Sequence, residues 1–582
     1  MSHFSSTAKA MSPDDRPWLR HYDPGVPPSI EYPDHPLHTF LERAALNFPD
    51  RACTILGESI TTYAEMDGIT NRIASALSSL GLVKGDRVGI LIPNTQQFVM
   101  AFYGILKAGC VVVATNPLYS GPEIVHQLKD SGVSTVFVDA DLYRSLKSIQ
   151  PETGIERIVV VGPRDGANPQ ERKAGGPAAG ASPGVDSAQL LEPADIRLHD
   201  ILGHGRAASQ VAAEVRPDDI ALFQYSGGTT GISKAAVASH RGVVANTMQF
   251  RRWLVPLREG RETILLAIPL YHAYGMIAGM SLGISIGASL ALVPNPRDIS
   301  GLLGTIRASR PTVFPGVPTL YNAISNHPDV ISGSVDLKSI SVCISGSTAL
   351  LRETKERFEA LSGGKICEGY GLSEAPVVTH CNPLLGRNKI GSIGMPMPDV
   401  DCRIVDPDDG ERDAAAGESG ELILRGPQLM IGYHNMPAET EIALRTLKDG
   451  MTWLFTGDIV RMDAEGYFYV VDRKKELIKP GGFQVWPREV EEVLAAHPAV
   501  LEVGVAGVPD PDRGEAVKAW IVLRQGATVS EGELQAWCKE RLAHYKVPSF
   551  IVFRSQLPKS NVGKILRREL VREHLQPAAG SS

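Results

Sequence analysis

Residues 225–234 carry the residue types and the spacing that polyphosphate binding requires. Ser226, Gly227, Gly228, Thr229, Thr230 and Gly231 are small or hydroxylated, and Lys234 lies three positions after the last glycine. Glycines let backbone N–H groups approach anionic oxygens, hydroxyls add donors, and the lysine adds a positive charge. The segment therefore predicts a loop that wraps a polyphosphate, although a surface turn rich in glycine and serine has the same composition.

The loop differs from the common P-loop, in which Gly-Lys-Ser/Thr opens a helix directly. Here Ile232 and Ser233 separate the last glycine from the lysine, and no hydroxyl follows it. The preceding residues 220–225 are mostly apolar and predict a strand that feeds the loop. A strand followed by such a loop favours phosphate binding over a plain turn.

Two further segments carry side chains suited to substrate or metal chemistry. His272 lies inside Pro269–Gly275, and taken alone a histidine in such an apolar stretch is better explained as a core residue. Tyr370 lies between two glycines in the segment 368–374, where its ring could stack on a base. The Ser373 hydroxyl and the Glu374 carboxylate offer the oxygen ligands that Mg²⁺ prefers.

Three segments nearer the end of the chain complete the pattern. Asp458 follows Thr456-Gly457 and is suited to ribose hydroxyls, although a plain turn explains this triplet equally well in isolation. Gly481-Gly482 would allow a ligand to approach the backbone closely. Residues 558–564 end with Lys564 on a loop that contains glycine.

Together and in this order, these segments resemble the adenylate-forming superfamily of acyl-CoA synthetases, nonribosomal adenylation domains and beetle luciferases. The resemblance runs from about Leu37 to Leu570. Within the superfamily the chain is most similar to bacterial long-chain fatty-acid CoA ligases, in the segments 116–119, 225–231, 472–476 and 557–570. The resemblance implies that ATP, Mg²⁺ and coenzyme A are used in two steps, formation of an acyl-adenylate and transfer of the acyl group to CoA.

The resemblance also implies a role for each motif residue. The catalytic residues would be Lys564 for adenylation, His272 for guiding the carboxylate, Glu374 with Ser373 for Mg²⁺, and Lys234. The predicted ATP site comprises Ser226, Gly227, Gly228, Thr229, Thr230, Gly231, Lys234, Gly346, Ser347, Thr348, Glu368, Gly369, Tyr370, Gly371, Ser373, Asp458, Arg473 and Lys564. The predicted CoA site comprises Lys479, Gly481 and Gly482, and the predicted acyl pocket comprises Tyr271, His272, Tyr274, Gly369, Val377 and Val378.

The chain departs from the family pattern at three places. Ala235 follows the loop lysine where glycine is usual, and its methyl group would crowd the loop slightly. Gly346-Ser347-Thr348-Ala349-Leu350 replaces Gly-Gly-Ala-Pro-Leu and adds bulk beside the expected adenine and acyl sites, which leaves the acyl chain length open. Ser373 replaces threonine and keeps the hydroxyl.

The elements that must position these motifs follow an α/β pattern. Apolar strands are predicted at 87–92, 111–114 and 133–138, with helices near 95–108 and from Ser120 onward, where Glu123 completes a capping box. Alternation of this kind predicts parallel sheets covered by helices. We expect an N-terminal extension (1–36), a large domain of helix-covered β-sheets (37–473) with a low-complexity insertion (162–186), and a small mobile α+β domain (474–582) that pivots at Lys475.

Composition narrows the functional class. The formal charge of −7 over 582 residues gives no general attraction to nucleic acid. The seven cysteines are odd in number and form no C-x-x-C pair, which fits a reducing cytoplasm. Residues 264–296 lack Lys, Arg, Asp and Glu; a membrane span is one explanation, and a strand, a turn and a buried helix are the one we prefer. We expect a cytoplasmic monomer or homodimer, with peripheral contact at the inner face of the membrane as an alternative.

The leading hypothesis is an ATP-dependent acyl-CoA ligase for a medium- or long-chain fatty acid. A ligase for an aryl acid such as 4-coumarate is the alternative, because Tyr271–Gly275 also resembles that branch. A non-catalytic acyl or nucleotide sensor on the same fold is a third hypothesis. Its weakness is that a pure binder would need neither Lys564 nor a movable hinge.

Overall fold

A computed structural model describes residues 16–163, 165–166, 191–192, 195–203, 213–226, 233–483, 485–559 and 565–575. The predicted loop residues Gly227, Gly228, Thr229, Thr230 and Gly231 lie outside the described residues, as does Lys564. Most of the predicted insertion at 162–186 and the first fifteen residues also lie outside them.

Helices and strands alternate along much of the described chain. The helices are Thr39–Asn47, Tyr63–Ser79, Gln96–Lys107, Gly121–Ser131, Tyr143–Ile149, Leu198–Gly203, His240–Trp253, Leu282–Ser285, Ile299–Ser309, Pro318–Ser325, Pro328–Ile331, Arg352–Ser362, Pro437–Ala443, Pro487–Ala495, Glu531–Lys539 and Arg567–Leu575. A π-helix spans Tyr274–Ser281, and 3₁₀ turns span Pro17–His21, Ala140–Leu142, Gln150–Glu152, Lys474–Glu476, Pro480–Gly482 and His544–Lys546.

The strands are β1 (Ala52–Leu56), β2 (Ser59–Thr62), β3 (Arg87–Leu91), β4 (Val111–Ala114), β5 (Thr135–Asp139), β6 (Arg157–Val161), β7 (Ile196–Arg197), β8 (Ile220–Ser226), β9 (Lys234–Ser239), β10 (Thr263–Leu266), β11 (Ser289–Leu292), β12 (Val313–Gly316), β13 (Val342–Ser345), β14 (Lys365–Gly371), β15 (Val378–Cys381), β16 (Met395–Pro396), β17 (Asp401–Val405), β18 (Gly420–Arg425), β19 (Gly432–Tyr433), β20 (Leu444–Thr446), β21 (Thr452–Met462), β22 (Phe468–Arg473), β23 (Val500–Asp510), β24 (Gly514–Leu523) and β25 (Phe550–Arg554).

The predicted α/β pattern is confirmed, with small shifts at the ends of elements. Helix Gly121–Ser131 starts after Ser120, whose hydroxyl and Glu123 form the predicted capping box. The strand predicted at 133–138 starts two residues later, at Thr135. Residues 264–296 form strand β10, a turn, the π-helix with its short helical continuation, and strand β11, as preferred above. None of the described helices combines the length and the apolarity that crossing a membrane requires.

The chain forms two compact units. One contains 29–379 and 425–454, and the other contains 1–28, 380–424 and 455–582. The first unit holds an eight-stranded sheet in the order β19-β9-β8-β4-β3-β5-β6-β7 and a run of strands in the order β14-β13-β12-β10-β11-β1-β2. Most neighbouring strands in both are parallel, and their apolar side chains form buried clusters against the covering helices.

The second unit contains the pairings β17-β18-β21 and β21-β22 and a separate sheet in the order β23-β24-β25. Helix Pro487–Ala495 packs its Val490 and Leu494 into the core of this smaller sheet. The smaller sheet and this helix lie within residues 474–582, the predicted C-terminal domain. The boundary at 473/474 remains a prediction. All seven cysteines are buried as free thiols.

Candidate active site

In the first unit, the predicted site residues follow the carboxyl ends of neighbouring strands. Strands β10, β12, β13 and β14 are parallel neighbours, and the segments 269–275, 346–348 and 369–374 follow or end β10, β13 and β14. In open α/β sheets ligands bind at this edge, because the connecting loops converge there. The topology therefore gathers residues that the sequence separates by up to about one hundred positions.

Lys234 stands at the start of β9 rather than at the start of a helix. Its backbone pairs with Ser226, the last residue of β8, so the phosphate loop predicted between them joins two antiparallel strands. Ala235 is fully buried and pairs with Tyr225, so the strand accommodates the methyl group that replaces glycine. This arrangement differs from a P-loop, in which the lysine opens a helix.

Tyr433 connects Lys234 to Glu374, and Glu439 pairs with the lysine. The Lys234 ammonium forms an ion pair with Glu439 and lies 5.4 Å from the centre of the Tyr433 ring. The Tyr433 hydroxyl donates a 2.6 Å hydrogen bond to Glu374 Oε1. The predicted phosphate-binding lysine and the predicted Mg²⁺ carboxylate therefore belong to one chain of polar contacts.

The turn after β10 is fixed by hydrogen bonds of Tyr274 and His272. His272 Nδ1 accepts a 3.2 Å hydrogen bond from the Tyr274 N–H. The Tyr274 hydroxyl is directed toward the carbonyls of Gly316 and Ile344, at 3.1 and 2.8 Å. Burial raises the pKa of Tyr271 to about 12. The Tyr271 hydroxyl therefore stays neutral, and Tyr274 acts as a wall of the turn with its polar end occupied.

Gly346 and Ser347 begin the next segment of the site. A Cβ at Gly346 would lie 3.2 Å from the Tyr274 ring, so the two segments approach closely. Ser347 has φ of 74°, in the left-handed region where the family pattern places glycine. A side chain in that region costs about 1–2 kcal/mol of backbone strain. Ser347 and Thr348 are half-buried.

Strand β14 carries the next group of predicted residues. Glu368 is buried and accepts a 3.3 Å hydrogen bond from the Leu350 N–H, while Gly369 and Tyr370 are half-buried. A Cβ at Gly371 would lie 1.4 Å from the carbonyl oxygen of Val377. Only glycine allows this approach.

Asn246 holds the segment that carries Val377 and Val378. This asparagine is fully buried on helix His240–Trp253. Its Oδ1 accepts hydrogen bonds from the Val377 and Val378 N–H groups at 2.6 and 3.1 Å, and its Nδ2 donates to the Val378 carbonyl at 2.6 Å. The predicted wall of the acyl pocket is therefore fixed from behind by one amide side chain.

The second unit contains the predicted ribose contacts. Asp458 and Arg473 are paired across β21 and β22, and Arg473 Nε lies 2.9 Å from Asp458 Oδ1. The Asp458 side chain is only 5% exposed, whereas that of Arg473 is 40% exposed. The Thr456 hydroxyl accepts a 3.1 Å hydrogen bond from the Asp458 N–H, which shapes the turn. The carboxylate is thus oriented before any ligand arrives.

The predicted pivot and CoA residues follow directly in the same unit. Lys475 is exposed in the turn Lys474–Glu476. Gly481 and Gly482 have φ of 57° and 88° and lie exposed in the turn Pro480–Gly482, while the Lys479 N–H donates a 2.6 Å hydrogen bond to Glu515. The glycines adopt a backbone conformation that other residues rarely adopt.

The residues present fit a magnesium ion that is held mainly by its substrate. Among the described residues, no three His, Cys, Asp or Glu side chains are grouped as a metal site. Mg²⁺ is commonly bound by one or two carboxylates, water and substrate phosphates, so a ready-made cage is not needed. Glu374, whose other neighbours are a tyrosine hydroxyl and the half-buried Ser373, suits that role.

Sequence reasoning missed Asn246, Tyr433 and Glu439. Asn246 lies 131 positions from Val377, and Tyr433 lies 59 positions from Glu374. No local spacing connects such residues, because the tertiary structure alone brings them together. A polar residue on the apolar face of a helix would have marked Asn246 as unusual, since buried amides need hydrogen-bond partners.

The fold and this collection of residues define an adenylate-forming enzyme. A model of the AMP-binding enzyme family matches residues 41–434, and one of the AMP-binding enzyme C-terminal domain matches residues 489–564. The chain belongs to the AMP-binding enzyme family, and the predicted resemblance is confirmed.

Similar proteins carry names of acyl-CoA ligases. The chain is 40% identical to a long-chain-fatty-acid–CoA ligase of Bacillus subtilis (strain 168), over 96% of this chain and 98% of that protein. It is 37% identical to the protein of that name in Escherichia coli O157:H7, over 95% and 97%. It is 31% identical to 4-coumarate–CoA ligase 2 of Nicotiana tabacum, over 93% and 95%.

Solved structures show the same fold. ATP-bound MatB from Rhodopseudomonas palustris matches with a TM-score of 0.79 at 26% identity, over 93% of this chain and 99% of that one. A benzoate CoA ligase from Burkholderia xenovorans LB400 matches with a TM-score of 0.77 at 27% identity, over 92% and 100%. The predicted fold class is confirmed by these structures.

We predict that Glu439→Gln tightens ATP binding. If Lys234 binds phosphate as predicted, the Glu439 carboxylate competes with phosphate oxygens for it, and a half-exposed ion pair of this kind contributes up to about 1 kcal/mol, or roughly fivefold in affinity. Isothermal titration with ATP and Mg²⁺ measures the change. Glu441→Gln, an exposed residue of the same helix, is the matched control. Weaker ATP binding in Glu439→Gln alone would mean that Glu439 orients the lysine instead.

We predict that Asn246→Ala lowers stability and alters preference among carboxylic acids. The change leaves two buried N–H groups unpaired, at a cost of about 1–3 kcal/mol each. Urea unfolding measures the first effect, and relative kcat/KM for acids of different length measures the second. Thr247→Val is the control, since within the described part of the chain that buried hydroxyl bonds only to Val243 of its own helix. Unchanged acid preference would exclude Val377 and Val378 from the acyl pocket.

Proposed function

We propose that this protein activates a medium- or long-chain fatty acid as an acyl-adenylate and transfers it to CoA, with release of pyrophosphate and AMP. Its class, an ATP-dependent acyl-CoA ligase, is confirmed by the family and by the relatives over nearly the whole chain. The observation that carries the choice of substrate is the higher identity to long-chain-fatty-acid–CoA ligases, 40% against 31% for the 4-coumarate enzyme.

In the first step, a carboxylate oxygen attacks the α-phosphorus of ATP and the bond to pyrophosphate breaks. Negative charge moves to the leaving pyrophosphate, so fixed positive charges stabilise the transition state. We assign this task to Lys234 and Lys564, with His272 directing the carboxylate. The hydrogen bond that fixes the His272 ring supports its assignment. Mg²⁺ bound by Glu374 would neutralise phosphate charge.

Three residues would hold the nucleoside. We assign Tyr370 to stacking on adenine and Asp458 with Arg473 to the ribose. A buried carboxylate that is already oriented by an arginine suits the recognition of vicinal hydroxyl groups, which supports the choice of Asp458.

In the second step, the CoA thiol loses its proton, its sulfur attacks the acyl carbon, and AMP leaves. We infer that the domain after Lys475 rotates between the steps, which replaces Lys564 by the Lys479–Gly482 turn. The exposed left-handed glycines of that turn support the idea that a narrow ligand passes along its backbone.

An aryl acid is the second candidate substrate. It is favoured by the similarity to the tobacco 4-coumarate ligase and to the benzoate ligase structure. The proposal keeps the predicted cytoplasmic location, as a monomer or homodimer, with peripheral contact at the membrane that supplies a fatty acid.

The first test measures AMP release by the purified protein with ATP, Mg²⁺ and CoA. The acids are acetate, octanoate, palmitate, oleate, benzoate and 4-coumarate. We expect the highest kcat/KM for octanoate, palmitate or oleate. A maximum for benzoate or 4-coumarate would replace the fatty acid by an aryl acid. No AMP with any acid, from a protein that still binds ATP, would favour a non-catalytic sensor.

The second test separates the two steps. Lys564→Ala should slow acid-dependent exchange of pyrophosphate into ATP by roughly 10²–10³-fold, because it removes a charge that acts on the transition state. Conversion of supplied acyl-adenylate and CoA to acyl-CoA should remain close to that of the unmodified protein. Lys559→Ala, an exposed lysine paired with Glu502, is the control. Equal loss of both steps would contradict separate use of Lys564.

A further inference from the structure

The Asp472 carboxylate makes contacts across the predicted pivot. Asp472 is buried near the end of β22, where its backbone is held to Ile459 of β21. Its Oδ2 accepts a 2.7 Å hydrogen bond from the Arg488 N–H. Its Oδ1 lies 3.5 Å from Arg567 Nη1. Asp472 precedes Lys475 in the chain, whereas both partners follow it.

The contact with Arg488 replaces a missing helix cap. Helix Pro487–Ala495 receives no side-chain hydrogen bond from its own N-cap residue, Trp486. The first N–H groups of a helix lack partners within it, and an anion near them is stabilised by the helix dipole. Asp472 supplies that anion from the far side of the pivot.

Arg567 connects Asp472 to the core of the smaller sheet. Its Nε and Nη2 lie 3.1 and 2.7 Å from the two carboxylate oxygens of Glu491, which also accepts the Val505 N–H. Burial raises the pKa of Glu491, although Arg567 opposes the shift. Burial alone would lower the pKa of Arg567, and the carboxylates of Glu491 and Asp472 raise it instead. The arginine therefore stays charged.

A cleft lies beside these contacts. The cleft, of about 470 Å³, is lined by residues 475–478 and by helix Arg567–Leu575, including Arg567 and Arg568. Arg567 therefore lines this cleft and also contacts Asp472 of β22.

We propose that Asp472 and Arg567 form a latch across the pivot that sets the balance between the adenylation and thioester steps. The inference rests on the proposed rotation about Lys475. Any rotation that carries Arg488 and Arg567 away from β22 breaks both contacts of Asp472, while the pair between Arg567 and Glu491 moves as one body. Asp472 is thus a positioning residue rather than a catalytic one.

The test compares the two half-reactions in Asp472→Ala and Arg567→Gln. Without the latch the arrangement that it stabilises becomes less populated, so one half-reaction should slow and the other should gain. We expect their ratio to change by about fivefold or more, the usual lower range of coupling between conformational states. Equal slowing of both half-reactions, or an unchanged ratio, would overturn the proposal.

Arg568→Gln is the matched control, because Arg568 is the next residue of the same helix and its side chain is exposed. It should leave the ratio unchanged. Hydrogen exchange of the full-length protein gives a second measurement that does not depend on activity. In Asp472→Ala the amides at the start of helix Pro487–Ala495 should lose protection, while those of β23 and β24 keep it. Undisturbed protection at Arg488 would also overturn the proposal.

Different results would contradict the proposed function and the proposed latch. If the unmodified protein forms neither acyl-adenylate nor acyl-CoA, the proposed function is wrong, and hydrogen exchange still reports on the Asp472 contacts. If it performs both steps and the variants keep their ratio, the latch alone is wrong.

Discussion

The site depends on the close approach of β14 to the segment that follows it. At Gly371 the carbonyl of Val377 occupies the space that any side chain would need. That approach keeps Ser373 and Glu374 in a tight turn and brings Val377 and Val378 within reach of Asn246. The absence of a side chain at Gly371 and the buried amide of Asn246 therefore position both Glu374, the predicted metal ligand, and the predicted pocket wall.

Electrostatic balance is the second organising feature. Lys234 would be attracted to ATP, yet a lysine and a carboxylate without partners in a half-buried site would be costly. Glu439 and Tyr433 satisfy Lys234 and Glu374 beforehand. A triphosphate bound at the predicted site would therefore exchange one set of charged partners for another, instead of entering a site of unpaired charge.

Much of the fold could be predicted because its signals are local. Apolar runs marked β3 and β4, and the capping box at Ser120 marked the start of a helix. The motif residues around Lys234 and Glu374 could be found because glycine, hydroxyl and charge recur at short spacing. Residues that act through distant partners have no such spacing: Asn246 could be noticed only as a polar residue on an apolar helix face, and the partners of Asn246 and Tyr433 became visible only through their contacts. The left-handed backbone at Ser347 was also invisible, since serine rarely marks that conformation.

The end of β22 shows how one strand can serve two purposes. Successive side chains of a strand point to opposite faces, so Arg473 and Asp472 project in different directions. Arg473 meets Asp458, and Asp472 meets Arg488 and Arg567. Their peptide groups are joined, and the Arg473 N–H donates a 2.7 Å hydrogen bond to Asp472 Oδ1. The residue that pairs with Asp458 therefore contacts, through its backbone, the carboxylate that caps helix Pro487–Ala495.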